Sequence, residues 1–461
     1  MNIFFKLHTR LFIFITTLLI VGTSCTKFVE IDPAPNLVQT DALFANDKTA
    51  ISAVYGVYAQ IRSYNLGMNN GGLSVFCGLS ADEISYLGSV PNFDQFFQNT
   101  ISSDNSYIFS NFWSPPYKTI YQCNAIIDGL TKSNVVTDSV MRQLVGEMKV
   151  IRALNYFYLV NLFNDIPLII STDYQVNSVM KRIPASEIYK QIVDDLLDAK
   201  SLLKAIYPVQ GKLRINKWAA VALLARVYLY LEDWQNAEAE TTEIINSGNY
   251  TLSSNLAGNF LINSPETIWE IGIDIANTAE GGTFVPSSSS SKPTYPLTIN
   301  LVNLFEQGDL RKTNWVKTNM VAGQPYNYSF KYRTRTTATP VVEYEIVLRF
   351  AETYLIRAEA RAKQNNILGS QQDLNKIRNR SALANTSANN QLSLLAAIAK
   401  ERQTELFCEW GHRWFDLKRT GTADSILTAV KGNSWQPEDA LYPIPLRELE
   451  TNVFLSQNPG Y

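Results

Sequence analysis

Three carboxylates four residues apart, Glu401, Glu405 and Glu409, are the residues of this 461-residue chain whose type and spacing could do chemistry. On one helix face they lie a turn apart, and two of them could flank a glycosidic bond as acid and base. Like charges at that spacing also oppose helix formation unless cations compensate. Arg402, Arg413, Lys418 and Arg419 stand close by in sequence, with Asp416 among them. Glu401, Arg402, Glu405, Arg413 and Asp416 are therefore expected to form a structural ion network in place of a catalytic pair. The chain has two histidines. His8 falls in a leader, and His412 lies beside Trp410 and Trp414, where a packed imidazole is expected. There is no G-x-S-x-G elbow, H-E-x-x-H pair, Walker A loop or EF-hand loop. No catalytic residue, metal ligand or cofactor site is assigned.

The aromatics of the loops point to a different chemistry. Sugar rings present apolar C–H faces that stack on Tyr and Trp, while Asn, Gln, Asp and Arg meet the hydroxyls. Two stretches carry such residues in turn-rich surroundings, where binding groups concentrate. One runs from Tyr64 to Phe97 and offers Asn69, Asn70, Tyr86, Asn92, Phe93 and Phe96. The other runs from Tyr295 to Tyr332 and offers Trp315, Tyr326 and Tyr328. Tyr64, Asn70, Tyr86, Phe93, Phe96, Tyr295, Trp315, Tyr326 and Tyr328 are the ligand-binding candidates. The competing role for each is to anchor its own loop. Trp113, Trp218 and Trp234 sit on helical patterns and are assigned to the core.

A rigid frame must hold these loops, and helical hairpins supply it. Residues 216–250 read as two antiparallel helices joined at Glu232-Asp233. Ala222, Ala225 and Leu229 share a face of the first, and Ala237, Thr241, Ile244 and Ile245 line the second. The unit matches a tetratricopeptide repeat, which needs stacked neighbours to bury its apolar face. Residues 138–163 with 186–203, and 349–364 with 371–380, supply further hairpins. An earlier helix spans 47–62, and residues 393–417 form the last helical region. Residues 263–277 alternate like a strand, and 278–346 are aperiodic. The fold expected is mainly α: a tetratricopeptide-like helix-hairpin bundle with an irregular, loop-rich C-terminal portion containing minor β. Repeats cover about 113–250 and 349–380, a loop-rich insert about 253–346, and a closing segment 393–461.

The N-terminus reads as an export signal. Lys6 and Arg10 precede the apolar run 11–21, then Gly22-Thr23-Ser24 and Cys25. The run is too short to span a membrane. A Cys after small residues is the layout of a lipoprotein signal, so residues 1–24 are expected to be removed and Cys25 lipidated. Residues 25–39 would be a tether within a domain arrangement that continues from 40 to 461. Of the four cysteines, Cys77, Cys123 and Cys408 remain, an odd set without CxxC spacing, and are expected as buried free thiols. Lys+Arg number 40 and Asp+Glu 42, and a net charge of −2 excludes the electrostatic footprint of a nucleic-acid binder. Hydrophobic content of 46% marks a globular chain.

Several segments together resemble the SusD/RagB family. They are Cys25-TKFVEIDP; Trp113, Tyr117, Ile120 and Asn124; Arg152-Ala153 with Tyr156-Phe157; and Phe163 through Ile166-Pro167-Leu168. Ile188-Tyr189 with Asp195-Leu196, the run Ala222 to Tyr228, Arg349-Phe350-Ala351-Glu352, and Asn375 with Ile377-Arg378 continue the series. Glu401-Arg402, Glu405-Leu406, Gly411-His412-Arg413, Asp416-Leu417 and Arg419 follow, then Pro443-Ile444-Pro445 and Gln457 to Tyr461. Asn164 departs from the family, which often has Gly there. The resemblance implies four stacked hairpins, a cell-surface outer-membrane lipoprotein of Bacteroidetes type, and capture of an oligosaccharide. It implies a SusC-like TonB-dependent porter as partner, over which the protein acts as a lid. A peptide-binding RagB-like protein, a protein-only scaffold and a lipid-anchored glycosidase stand as the alternatives.

Overall fold

The computed structural model describes Phe4, His8 and residues 40–273, 277–337 and 339–461. Cys25, the tether 25–39 and the leader apart from Phe4 and His8 lie outside the described residues. The principal helices are α1 (Asp47–Arg62), α2 (Pro91–Gln98), α3 (Ser114–Lys132), α4 (Asp138–Phe163), α5 (Ala185–Leu202) and α6 (Lys217–Tyr230). They continue with α7 (Trp234–Asn246), α8 (Phe350–Lys363), α9 (Ile367–Arg380), α10 (Gln391–Glu405), α11 (His412–Arg419) and α12 (Ala423–Lys431). Their packing is sequential: α1 on α3, α3 on α4, α4 on α5, α5 on α6, α6 on α7, α7 on α8, and α8 on both α9 and α10. This is the stacked-hairpin frame of a tetratricopeptide-like bundle.

Caps set where the helices begin. The Asn46, Asn216, Asp233 and Asn366 side chains each accept a backbone N–H from the first turn they precede. Asn390 and Ser393 close a reciprocal capping box on α10. Asn164 ends α4 with φ 61°, a backbone region that glycine enters most easily. The centre of the frame is α6, in which every residue from Trp218 to Leu229 is buried. The amphipathic stripe read from the sequence is thus one part of a helix enclosed on all sides. Leu231, at the turn that follows, is 41% exposed.

Three two-stranded antiparallel pairs complete the chain: β1 (Ile166–Pro167) with β2 (Arg182–Ile183), β3 (Thr267–Ile271) with β6 (Glu345–Arg349), and β4 (Val316–Val321) with β5 (Gln324–Ser329). β3 confirms a strand within 263–277, but its alternation does not separate inside from outside, because all five residues are buried, Glu270 among them. Burial pushes the Glu270 carboxyl up to about 7. The β4–β5 hairpin falls in the stretch read as aperiodic. Ala322 (φ 51°) and Gly323 (φ 75°) make its two-residue turn. Cys77, Cys123 and Cys408 are free and buried, as expected.

Buried arginines tie the layers together. Arg152 grips Asp195 between α4 and α5 at 2.6 and 2.8 Å, and also donates to Asn124 on α3. Arg226 on α6 holds Glu352 on α8 at 2.6 and 2.8 Å and donates to the Tyr158 hydroxyl of α4. Arg357 holds Asp373 between α8 and α9. Each fork satisfies a carboxylate with two parallel bonds, which fixes the angle between helices as well as their separation.

The acidic trio is also buried, but not as the spacing suggested. Helix α10 stops at Glu405, and Glu409 sits in a turn where Cys408, Trp410 and Gly411 all have positive φ. The three carboxylates therefore do not share one helix face. Their cations come from far away in sequence. Glu405 receives Arg349 (2.6 Å), Arg380 (2.5 Å) and Arg311 (3.2 Å). Glu401 meets Arg311 and Arg378, and Glu409 meets Arg349 and Lys331. Arg402 instead pairs with Asp416, Arg413 with Asp82, and Arg419 with Asp416 and Glu359. The single network read from local sequence is three separate groups: the cluster around Glu401, Glu405 and Glu409, the set Arg402, Asp416, Arg419 and Glu359, and the pair Arg413–Asp82. Burial opposes ionisation of Glu405, yet Arg380, Arg349 and Arg311 hold it well below the usual carboxylate range. A depressed folded value stabilises the protein above the unfolded pKa of about 4.3 and is lost as pH falls below it. Glu405→Gln is expected to lower the unfolding free energy by about 3–5 kcal/mol at pH 7, by denaturant titration, because three guanidinium groups lose their shared anion. The difference from wild type should shrink as the titration is repeated toward pH 3.

Candidate functional site

The loops 63–113 and 253–346 meet beside one end of the frame, and their aromatics mostly face one another. Phe76 is the hub: Phe93 stacks on it at 5.0 Å, and Phe96, Tyr107 and Phe112 surround it at 4.6, 5.2 and 5.2 Å. Tyr86 and Tyr295 close the outside of the cluster, 5.6 Å apart and 5.7 and 5.8 Å from Phe93. Ring pairs at these separations add to the burial energy and lock the loops to each other. The backbone joins them too, through Ser85 to Pro296 (2.9 Å or less) and Leu87 to Thr294.

This geometry redistributes the candidates. Phe96 and Trp315 are fully enclosed, and Phe93, Tyr295 and Tyr328 nearly so. None of these five rings offers a face to solvent, so the structure corrects their expected role from ligand contact to loop packing. Trp315 donates its indole N–H to the Leu256 carbonyl at 2.8 Å and roofs the Glu405 knot, with Lys331 at 4.9 Å and Arg380 at 5.8 Å from its ring. Tyr64, Tyr86 and Tyr326 remain half-buried. The Tyr86 hydroxyl accepts the Val90 N–H, and Lys292 lies 5.2 Å over the Tyr326 ring.

Asn70 borders the open space. A cleft of about 850 Å³ lies between the end of α1 and residues 277–283. Asn65, Asn70, Asn277, Thr283, Arg62 and Arg335 line it. Asn70 donates to the carbonyls of Arg62 (2.8 Å) and Tyr64 (3.2 Å), which fixes its amide plane at the rim. Asn277 donates to the Arg335 carbonyl at 2.8 Å, and Arg335 Nε to the Val285 carbonyl at 3.1 Å. Gly71, at φ 77°, leaves room for Ala279, whose side chain a Cβ there would meet at 2.6 Å.

A second cleft of about 740 Å³ adjoins the first and shares Ala59 and Arg62 with it. Its wall includes Tyr55, 46% exposed, with the Arg214 guanidinium 4.9 Å over its ring. Arg214 is anchored from below by Glu147. Sequence reasoning missed Tyr55 because it searched the loops. The signal was there: α1 buries Ala50, Val54, Val57 and Ile61, and Tyr55 falls on the opposite, solvent side. Among the described residues lining the two clefts there is no carboxylate. Amides, guanidinium groups and one tyrosine face suit a neutral ligand rich in hydroxyls.

The comparisons with known proteins agree with the frame. Residues 27–229 match a family model described as starch-binding, associating with the outer membrane, and residues 311–461 match the SusD family model. The chain belongs to the SusD/RagB family. It is 25% identical to a SusD-like protein of Formosa agariphila over 95% of this chain and 97% of that one. A solved laminarin-binding SusD-like protein superposes with TM-score 0.77 at 26% identity, over 91% of this chain and all of the other. A SusD superfamily structure from Bacteroides vulgatus superposes with TM-score 0.80 at 20% identity, over 90% and 99% of the two chains. Among the described residues no helix is long and apolar enough to cross a membrane.

The two classes of aromatic are separable by experiment. Phe96→Ala and Trp315→Ala are expected to lower unfolding free energy by about 3–5 kcal/mol, as fully buried rings do. Tyr55→Ala should change it by less than about 0.5 kcal/mol, as exposed positions do. Denaturation monitored by circular dichroism reads all three.

Proposed function

We propose that this protein is a non-catalytic, surface-exposed lipoprotein that captures an oligosaccharide and delivers it to a SusC-like TonB-dependent porter. Cys25 would carry the lipid that holds it at the outer membrane. The observation that carries the reading is the paired cleft at the end of α1. Its amides and guanidinium groups match hydroxyls, and Tyr55 gives a flat ring for a sugar face. The laminarin-binding relative and a surface glycan-binding protein of Bacteroides fluxus with the same fold support the ligand class. A glycosidase reading is disfavoured by burial: Glu401, Glu405 and Glu409 are spent in buried ion pairs, and none of them lines either cleft.

The ligand is found by titrating the purified protein with a panel of glucans, mannans, xylans and pectic oligosaccharides, followed calorimetrically. At least one is expected to bind. Tyr55→Ala and Arg335→Ala should each weaken it about tenfold, the equivalent of about 1.4 kcal/mol, with unchanged melting temperature. Binding of peptides alone would favour the RagB-like alternative. Capture of a barrel partner with no soluble ligand at all would favour the scaffold.

A further inference from the structure

A third cavity shares no lining residue with the two clefts, and no glycan-binding role is proposed for it. It measures about 450 Å³ and sits between the α6–α7 turn, α8, α10 and α11. One wall is a stripe of α10: Leu392, Leu395, Ala396 and Ala399, spaced i, i+3, i+4 and i+7. The other side of the same helix buries Leu394 and Ile398 in the core. Leu395 is partly packed against the core, but Ala396 and Ala399 are exposed and Leu392 is 82% exposed.

The stripe ends in a charge. Arg402, one turn beyond Ala399, forms part of the cavity wall and is itself 1% exposed. Its Nε donates to Asp416 at 2.7 Å. Both of its amino nitrogens are buried without any hydrogen-bond acceptor among the described residues. Neighbouring carboxylates do not serve them. Asp416 is shared between Arg402 and Arg419, and Glu359 is taken by both amino groups of Arg419. Arg413, on the same wall, spends Nε and Nη2 on Asp82. At the rim Lys363 lies 5.0 Å over the Trp234 ring, with Glu232 beside it. A guanidinium with an unserved edge is expensive to bury, and a planar carboxylate accepts two of its N–H groups at once.

We propose that this cavity is a second ligand site that takes a small monocarboxylate with an apolar body, the carboxylate on Arg402 and the body along the α10 stripe. A dianion such as phosphate would face a larger desolvation penalty against the leucine and alanine wall. A sugar acid would leave hydroxyls unpaired against it. The same chemistry has two sources, a free short-chain acid or the C-terminus of an apolar peptide.

Calorimetric titration of the full protein tests this with four probes: hexanoate, hexanamide, Ala-Leu-Leu as the free acid, and Ala-Leu-Leu amide. One or both acids should bind at least tenfold more tightly than the matching amide. Whichever acid binds identifies the source. Substituting Arg402 would strip Asp416 of a buried partner and disturb the fold, so the variant to read is Ala399→Phe, at an exposed wall position. It should weaken the acid at least tenfold while leaving melting temperature and glycan binding unchanged. Acid and amide binding alike, neither binding at millimolar concentration, or undiminished binding by Ala399→Phe overturns the proposal. None of these outcomes depends on the glycan reading, which its own panel decides.

Discussion

The structure depends on one carboxylate shared by three guanidinium groups. Glu405 ends α10, Arg380 ends α9, Arg349 ends β6, and Arg311 lies in the loop-rich insert. Four segments far apart in the chain thus converge on a single buried anion. An isolated pair at such depth would barely recover its desolvation penalty. A knot works better because each group has several opposite charges and few unsatisfied atoms. Trp315 and Phe260 lie over it and keep water out, which strengthens every pair beneath.

This knot explains why a long insert without regular periodicity can be rigid. The hairpin stack alone has no reason to order residues 253–346. The insert is held at one end by the charged knot and at the other by the Phe76 aromatic cluster. Its backbone then has a defined place beside the end of α1, and the clefts form between the two. Cleft-lining groups such as Arg335 and Asn277 are positioned by carbonyl contacts within the insert. The frame and the loops therefore divide the work: buried arginine forks fix the helices, and aromatic packing fixes the loops.

The same division explains what was hard to read. Tyr and Phe residues in turn-rich sequence look alike whether they face a ligand or each other. Phe96 and Trp315 were indistinguishable from Tyr64 by type or spacing, because a ring buries equally well against a sugar and against another ring. Tyr55 was overlooked for the opposite reason: it lies on a helix, and its exposure follows only from which side of α1 packs. The ion network shows the same limit. Arg402 and Arg413 were expected to neutralise the acidic trio; they pair instead with Asp416 and Asp82, and the cations that neutralise Glu405 come from positions 311, 349 and 380.

By itself the sequence determined the class of the frame. Helical periodicity, small residues at hairpin crossings and cap residues are local signals, since each depends on neighbours within a turn or two. The motifs carrying the family resemblance, Arg152, Arg226, Glu352 and Asp195 among them, turn out to be the forks between helices. Only the tertiary structure decided which aromatics stay open, where the clefts lie, and that the α10 stripe ends at a guanidinium edge with no acceptor among the described residues. Those properties arise from contacts between segments separated by tens to hundreds of residues. Burial there is set by what arrives from elsewhere in the chain, and no local pattern encodes it.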